Sequence, residues 1–406
     1  MIDKNRVPLI RFKGFSENIS FIKLKDVVLL NTYGPRFNAN DYDLNGNVKT
    51  IRGTDISLNG NILYNQVPIA KLDLNFIKSH ILEDGDLVMI TTADCGLTGI
   101  FEKQKNNYIC SAYAVKIVLN KKSAFPNYFK YFFQTSLAKN EVNKHLRTAT
   151  ISNLPASDIL KITLMLPSIQ EQEKIASFLN LIYELIEQKE KKYQKLKQFK
   201  KAILEKMFPK DGEDTPEIRF KGFRGEWKKE TIKNIGIFFS GGTPISSNQS
   251  YYNGLIPFIG SGKISSETVE QFITEEALHN SSAKMVEIGD LLYALYGATS
   301  GEVAISKIKG AINQAVLCIR TDENKFFLET WLRKNKQNIL STYLQGGQGN
   351  LSAQIVKSLE LYLPQKEEQT KIGNYFQKLD KLIDLQQKEI KKLKNIKKAS
   401  LEKMFV

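Results

Sequence analysis

Two stretches of the chain carry apolar residues at heptad spacing, and each begins shortly after a proline that suits a helix entry, Pro167 or Pro364. The spacing predicts two long helices with a coiled-coil seam. The seam positions of the first helix are Ile175, Phe178, Ile182, Leu185, Leu196, Phe199 and Ile203. Those of the second are Ile372, Tyr375, Leu379, Leu382, Leu393 and Ile396, with Ser400 in the place of Ile203. At 1.5 Å per residue, about 40 helical residues form a rod of roughly 60 Å.

Polar residues interrupt both seams, Lys189 and Lys192 in the first and Gln386 and Glu389 in the second. Polar seam residues usually cost stability and fix the register of the helices. Further lysines lie off the seam, at Lys191, Lys195, Lys197, Lys391 and Lys394. They suit either a surface that faces DNA or a partner subunit, or a merely solvated helix face.

The two helical stretches are copies of one segment. Residues 153–208 align without a gap with residues 350–405, and roughly 24 of the 56 positions are identical. A second repeat, IRFKGF, begins at Ile10 and again at Ile218. The order of the repeats predicts two units related by a pseudo-two-fold axis, with the chain ends close together. A circularly permuted chain that is opened in the Asp211–Thr215 linker should therefore still fold.

The repeats divide the chain into four predicted segments: a globular segment 1–152, a strand and long helix 153–210, a globular segment 211–349, and a strand and long helix 350–406. The expected fold class is α+β, with two dissimilar globular α/β heads separated and joined by two antiparallel helices. Such helices can hold the heads against two DNA half-sites about 34 Å apart.

Charge and composition point to a globular protein with a polyanionic partner. Of 406 residues, 42% are hydrophobic and 25% charged, which argues against disorder. The net charge is +15 and the pI near 9.4, which suits nucleic acid or an anionic membrane surface. About +4 and +5 of this charge lie on residues 168–210 and 365–406, whereas residues 211–364 carry about −1.

Several function classes find no support in the motifs. The cysteines Cys95, Cys110 and Cys318 form no CxxC pattern, and no apolar run reaches about 18 residues, so we expect a cytoplasmic protein without disulfides, metal or membrane span. There is no PP dipeptide of an amino-methyltransferase turn and no phosphate loop, since the only GK is followed by Ile264. We therefore expect no catalytic residues in this chain.

Motifs in a fixed order give the chain a family resemblance. NLP or NLS, a strand ending LP, EQxKI and a long helix closing on LEKMF occur twice, around two unlike segments. The second segment adds SGGTP from Ser240 to Pro244 and Gly289-Asp290-Leu291, and the first has GNVKTIRGTDI at 46–56 and Gly85-Asp86-Leu87. In these features the chain resembles the specificity subunits of type I restriction-modification systems.

The resemblance implies a non-catalytic, DNA-reading subunit of a bacterial or archaeal cytoplasm. Its two target-recognition domains would each read half of an asymmetric bipartite site, and its helices would serve as spacer and docking surface. The implied partners are double-stranded DNA, two adenine-methylating modification subunits and ATP-driven restriction subunits. S-adenosylmethionine, ATP and Mg would be used by those subunits and not by this chain.

Base readout needs donors and acceptors on loops beside a rigid scaffold, with Arg or Lys toward guanine and Asn or Gln toward adenine. In the first head the candidates are Tyr33, Arg36, Lys49, Arg52, Thr54 and Asp55. In the second head they are Thr243, Ser246, Asn248, Tyr251, Ser261 and Lys263. Each of these residues also suits a solvated strand edge.

Two rival functions remain open from the sequence: a coiled-coil adaptor with two protein-binding heads, and a fused enzyme with an unrecognised active site. The near-neutral second head also predicts that the chain alone binds DNA weakly and that tight, specific binding requires the modification subunits.

Overall fold

The computed structural model describes residues 8–17, 19–147, 151–210, 212–343 and 350–405; Asp211, the start of the predicted linker, lies outside them. The described chain divides into two compact units. The first unit contains the residues up to Glu190 together with those from Lys388 onward, and the second contains Lys191–Gln387. The predicted segments follow the order of the chain, so each long helix is expected within one segment. In the structure each long helix is divided between the two units, at Glu190 in the first helix and at Lys388 in the second.

The described residues of the first half of the chain form nine strands and five α-helices. The strands are β1 (Ser20–Lys23), β2 (Val28–Tyr33), β3 (Val48–Ile51), β4 (Ile69–Ala70), β5 (Leu87–Ile90), β6 (Thr98–Ile100), β7 (Asn107–Cys110), β8 (Ala114–Leu119) and β9 (Thr163–Leu166). The helices are α1 (Leu74–Ile77), α2 (Pro126–Phe132), α3 (Ser136–Lys144), α4 (Ala156–Ile159) and α5 (Ile169–Lys206).

The second half of the described chain repeats this order with two changes. Its strands are β10 (Lys228–Thr231), β11 (Ile237–Ser240), β12 (Ile256–Ile259), β13 (Phe272–Ile273), β14 (Lys284–Val286), β15 (Leu291–Ala294), β16 (Val303–Ile305), β17 (Gly310–Ile312), β18 (Val316–Arg320) and β19 (Glu360–Leu363). Its helices are α6 (Glu275–His279), α7 (Lys325–Tyr343), α8 (Ala353–Ser358) and α9 (Lys366–Met404). The changes are one extra strand, β14, and one long helix, α7, in the place of α2 and α3.

The larger sheets of the two heads have the same strand order, and the smaller sheets differ by the added strand β14. An antiparallel sheet has the order β2-β8-β5-β6 in the first head and β11-β18-β15-β16 in the second. A smaller sheet contains a parallel pair, β3 with β7 and β12 with β17. The central strands β5 and β15 are buried along their whole length, which explains why they appear in the sequence as continuous apolar runs.

The repeated segments make the same ion pair and the same strand pair in both units. Arg11 donates two hydrogen bonds of 2.7 Å to the buried carboxylate of Glu171, and Arg219 binds Glu368 in the same way. Strand β1 pairs with β9 as β10 pairs with β19. The Ile10 amide donates to the Lys403 carbonyl at 3.0 Å, so the predicted closeness of the chain ends is confirmed for the described residues.

The two long helices run antiparallel within each unit. In the first unit Tyr183 of α5 contacts Lys397 of α9, and Lys189 pairs with Glu389 at 2.5 Å. In the second unit Lys200 pairs with Asp380, and Phe208, just after α5, contacts Phe376. Within each unit residue numbers thus fall along α9 as they rise along α5, as predicted for an antiparallel pair.

Part of the predicted seam is wrong in register. Ile175, Ile182 and Ile372 are buried as predicted. Leu179, Ile186, Phe376 and Ile390, which were not assigned to the seam, are also buried. By contrast, four predicted seam residues are exposed by 36 to 46%: Leu185, Phe199, Leu382 and Ile396. The apolar stripe is wider than a coiled-coil seam because Ile175 and Leu179 also join the core of the first head.

Each long helix ends in the core of the other repeat. Leu401, Met404 and Phe405 lie in the core of the first unit, and Met207 and Phe208 in that of the second. The repeated LEKMF motif therefore packs its apolar side chains into the core of a head that is distant in sequence.

Candidate nucleic-acid interface

In the first head, three loop segments meet at the carboxyl end of the parallel strands β3 and β7. Ile51 pairs with Cys110, and the Ser111 amide donates to the Ile51 carbonyl at 2.9 Å. Gly34 lies so close that a Cβ there would overlap the Cys110 carbonyl oxygen. We call residues 34–36, 52–55 and 111–113 the first strand-end cluster.

The second head builds the equivalent arrangement at the end of β12 and β17. Ile259 is opposite Ile312, and the Gly241 amide donates to the Asn313 carbonyl at 3.2 Å. A Cβ at Gly241 would overlap the Ile312 carbonyl oxygen, as at Gly34. Residues 241–243, 260–263 and 313–315 form the second strand-end cluster, and the glycine of the predicted SGGTP motif is needed for this approach.

Arg52 and Asp55 form the best-defined polar pair of the first cluster. Arg52 immediately precedes a 3₁₀ turn, Gly53–Asp55, and Asp55 is the last residue of that turn. The Arg52 side chain donates through Nε and Nη2 to Asp55, both at 3.1 Å, and its backbone amide donates to the same carboxylate at 2.9 Å. The Asp55 side chain is fully buried, so it does not suit the predicted base contact, whereas Arg52 and Thr54 are exposed.

The equivalent turn in the second cluster, Ser261–Lys263, carries a different set of side chains. Lys263 donates to the exposed Glu270 at 2.6 Å, a hydrogen bond that lowers the pKa of that carboxyl below its ordinary value. Thr243 is exposed and donates to the side chain of Gln314 at 2.6 Å. Charge, size and hydrogen-bonding capacity therefore differ between the heads at matching positions.

Arg36 and Thr243 occupy matching places, each two residues after the close-packed glycine. Arg36 is exposed and makes no ion pair with any carboxylate in the described part of the chain. Its guanidinium is thus available to a negatively charged or acceptor-rich partner.

The other two candidates of the first head lie away from the cluster. The Tyr33 hydroxyl accepts a hydrogen bond of 2.9 Å from the Ala156 amide and so ties β2 to the repeated segment. Lys49 lies within β3, where its Nζ is 5.6 Å from the centroid of the Tyr108 ring. The structure therefore gives both residues local packing partners.

The remaining candidates of the second head lie on the loop before β12. Tyr251 is almost completely buried among apolar residues, and its hydroxyl accepts from Asn280 at 3.3 Å. Asn248 accepts hydrogen bonds from the amide and hydroxyl of Ser250, which caps the turn. Ser246 is exposed. Burial makes Tyr251 a core residue, so a base contact does not suit it.

The sequence did not single out three residues of the clusters as DNA contacts. Tyr113 is 68% exposed and lies two residues after Ser111, and in the second head Asn313 and Gln314 match Ser111 and Ala112. An exposed aromatic ring suits stacking against a sugar or base. The exposure of Tyr113 could not be inferred from the sequence, because it lies between two alanines at the start of an apolar strand.

The Gly-Asp pairs before β5 and β15 lie at turns. Burial raises the pKa of the Asp86 carboxyl, although Lys116 lies 3.3 Å away. Burial acts to raise the pKa of the Asp290 carboxyl, but the hydrogen bonds from Arg320 and the Glu287 amide, together with the positive charges of Arg320 and Lys325, outweigh it, so the pKa lies below its ordinary value. The two carboxylates thus pair with side chains of the neighbouring strands β8 and β18, in the larger sheets of the heads.

In each unit the described long helices leave three large apolar side chains exposed, which we call the outer flank. It consists of Leu181, Leu185 and Ile396 in the first unit and of Phe199, Leu382 and Leu385 in the second. In the first unit the head packs against other residues of the helix pair, among them the buried Ala176 and Leu401. The outer flank is therefore left uncovered by the head of its own unit.

The described residues contain no group of three or more His, Cys, Asp or Glu side chains placed to hold a metal ion. None of the described helices is long and apolar enough to cross a membrane.

Comparison with known proteins places these features in a family. The family model described as type I restriction modification DNA specificity domain matches residues 16–198 and 224–395. The chain is 26% identical over 292 residues to a putative type I restriction enzyme MjaX specificity subunit of Methanocaldococcus jannaschii, covering 69% of this chain and 67% of the relative. It is 24% identical over 340 residues to the MjaVIII specificity subunit of the same organism, covering 79% and 78%.

The fold has a solved counterpart. A crystal structure of a type I restriction-modification S subunit from M. genitalium superposes with a TM-score of 0.64 at 15% identity and covers 99% of both chains. The HsdS subunit of Thermoanaerobacter tengcongensis gives a TM-score of 0.50 over 95% of this chain and 96% of its own. Since the family model matches the chain twice and over most of its length, the chain belongs to the type I restriction-modification DNA specificity family.

Proposed function

We propose that the two strand-end clusters are the DNA-reading surfaces of this specificity subunit, and that each reads one half of an asymmetric, bipartite site. One observation carries the proposal: the heads share a topology down to the close-packed Gly34 and Gly241, yet differ in the polar side chains that follow. A shared scaffold with different readers is what two unlike half-sites require.

The side chains of the clusters match base edges in kind. An arginine makes two hydrogen bonds with guanine O6 and N7, and a glutamine makes two with adenine N6 and N7. Arg36 and Arg52 stand in the first cluster, and Gln314 with Thr243 in the second. The first head therefore suits a guanine-containing half-site, and the second suits one that contains adenine.

The outer flank is the proposed docking surface for modification subunits. Leu185 and Leu382 are equivalent residues of the repeat, and both are exposed by more than a third. Two equivalent apolar surfaces, one in each unit, suit two copies of one partner. Restriction subunits would join that complex, and S-adenosylmethionine, ATP and Mg would be bound by these partners.

The proposed role is recognition without catalysis. The clusters contain no pair of a nucleophile and a base within hydrogen-bonding distance among their described residues, and the exposed groups are donors and acceptors that suit DNA. We expect the chain alone to bind DNA weakly and with strong salt dependence, and to bind tightly only with its modification subunits.

Methylation mapping tests the reading function. The chain is expressed with its modification subunits, and methylated adenines are mapped across the host genome. The expected result is one bipartite motif with two unlike halves, which disappears when the chain is deleted. Methylation that persists unchanged without the chain would overturn the proposal.

Docking is tested separately with Leu185→Asp and Leu382→Asp. A buried carboxylate at an apolar interface costs several kcal/mol, so each change should weaken binding of modification subunits by at least about tenfold. Leu74→Asp is the matched control, because Leu74 is an exposed leucine on the first head. Equal binding by all three variants would exclude the outer flank as the docking surface.

A further inference from the structure

Arg52 is held in an orientation that leaves one edge of its guanidinium free. Its Nε and one hydrogen of Nη2 are directed at Asp55, each at 3.1 Å from a different carboxylate oxygen. A guanidinium has five donors in a planar fork, so Nη1 and the second Nη2 hydrogen remain on the outer edge. That edge lies on an exposed side chain, at the carboxyl end of β3.

The carboxylate that orients Arg52 is itself fixed. Asp55 is fully buried, and it accepts a hydrogen bond of 2.9 Å from the Arg52 amide and one of 3.4 Å from Gln66. Gln66 also donates to the Thr54 carbonyl at 2.6 Å, which ties the turn to a second loop. Arg52 therefore loses little conformational freedom when it binds a ligand, since most of that freedom is already lost.

The charge of the pair favours a neutral acceptor over a phosphate. Asp55 compensates the positive charge of Arg52, and this weakens the attraction to an anionic backbone while the outer donors stay in place. The matching turn of the second head carries Lys263, a flexible point charge whose partner Glu270 is exposed. A lysine of this kind suits a phosphate, whereas an oriented fork suits a planar pair of acceptors.

We propose that Arg52 is a specificity-determining residue that reads one guanine of the half-site bound by the first head, through O6 and N7 in the major groove. Asp55 acts as its positioning residue and does not touch the base. The inference rests on the proposed function and adds to it a base, a groove and the atoms involved. Guanine is selected because it alone presents two adjacent acceptors along that groove edge.

The test uses the assembled complex of this chain with its modification subunits and a library of random DNA duplexes. The wild-type complex selects a motif, and selection is repeated with Arg52→Lys and Asp55→Asn. A bidentate contact contributes enough discrimination that Arg52→Lys should lower the preference for one guanine by about 5- to 150-fold, with the other positions unchanged. Asp55→Asn should lower the same preference less, because the fork remains but is no longer fixed.

A base analogue separates reading from folding. Replacing that guanine with 7-deazaguanine removes N7, so it should weaken the wild-type complex strongly and the Arg52→Lys complex much less, because a lysine lacks the planar fork that bonds O6 and N7 together. The matched variant Lys263→Met should weaken binding evenly across sequences and lower the salt dependence.

The outcomes distinguish this inference from the proposed function. If the wild-type complex selects no bipartite motif, the proposed function fails. If it selects one, but Arg52→Lys weakens all sequences equally or leaves the motif intact, Arg52 contacts phosphate or nothing, and the guanine assignment is overturned. A motif whose first half lacks a guanine overturns it as well.

Discussion

Phe376 of α9 tests the corrected register of the long helices. Its side chain is 1% exposed and lies in the core of the second unit with Phe208 and Trp227, whereas the predicted seam residue Leu382 is 38% exposed. Truncating a fully buried Phe to Ala costs about 3–5 kcal/mol, and truncating a half-exposed Leu costs about 1 kcal/mol or less. We therefore expect Phe376→Ala to be several times more destabilising than Leu382→Ala.

The two tryptophans make the measurement selective. Trp227 and Trp331 both belong to the second unit, and Trp227 packs against Phe208 with ring centroids 6.1 Å apart. Urea unfolding of the full chain followed by tryptophan fluorescence thus reports on the unit that contains Phe376. A loss of about 3–5 kcal/mol also corresponds to a melting temperature lower by roughly 6–20 °C for a unit of this size. Equal losses for the two variants would show that Leu382 lies in the seam and would refute the register.

Three further predictions concern single residues. Arg11→Ala leaves the buried carboxylate of Glu171 without its bidentate partner and should cost about 3–5 kcal/mol in a urea titration; a loss below about 1 kcal/mol would contradict this. The pKa of the Asp290 carboxyl is lowered, so the stability that its ionised form gives to the fold is lost as the pH falls. The pKa of the Asp86 carboxyl is raised, so its ionised form destabilises the fold. Acidification from about pH 7 to pH 3 should therefore shrink the destabilisation by Asp290→Asn and enlarge that by Asp86→Asn; parallel changes would refute the assignment. Ala93 has a φ of 63°, where a Cβ is strained, so Ala93→Gly should raise the melting temperature, and a lower one would count against strain at this residue.

The assembly parts of the fold could be predicted because they are repeated in the sequence. The alignment of residues 153–208 with 350–405 gave both long helices, their entry strands and the LEKMF ends, all of which have equivalent contacts in the two units. The seam register could not be predicted, since both residues of Phe178-Leu179 are apolar and heptad spacing permits either one. Leu179 is the buried member because the first head packs on that side of the helix.

The candidate sites were predictable only in part, because the strand-end clusters join segments distant in the chain. Gly34, Ile51 and Cys110 come together through a parallel strand pair that no local pattern indicates. The same limit applies to burial: Asp55 and Tyr251 have polar groups of the expected kind, but the fold turns both inward. Arg52 can contact DNA because its side chain is exposed, whereas its partner Asp55 cannot because it is buried.

The central claim is that each head reads its own half of the DNA site. It is tested most directly by exchanging residues 20–150 for the equivalent segment of a relative and mapping methylated adenines in cells that contain the modification subunits. We predict that one half of the bipartite motif changes while the other half and the activity are retained. A motif that changes in both halves, or in neither, would contradict the claim.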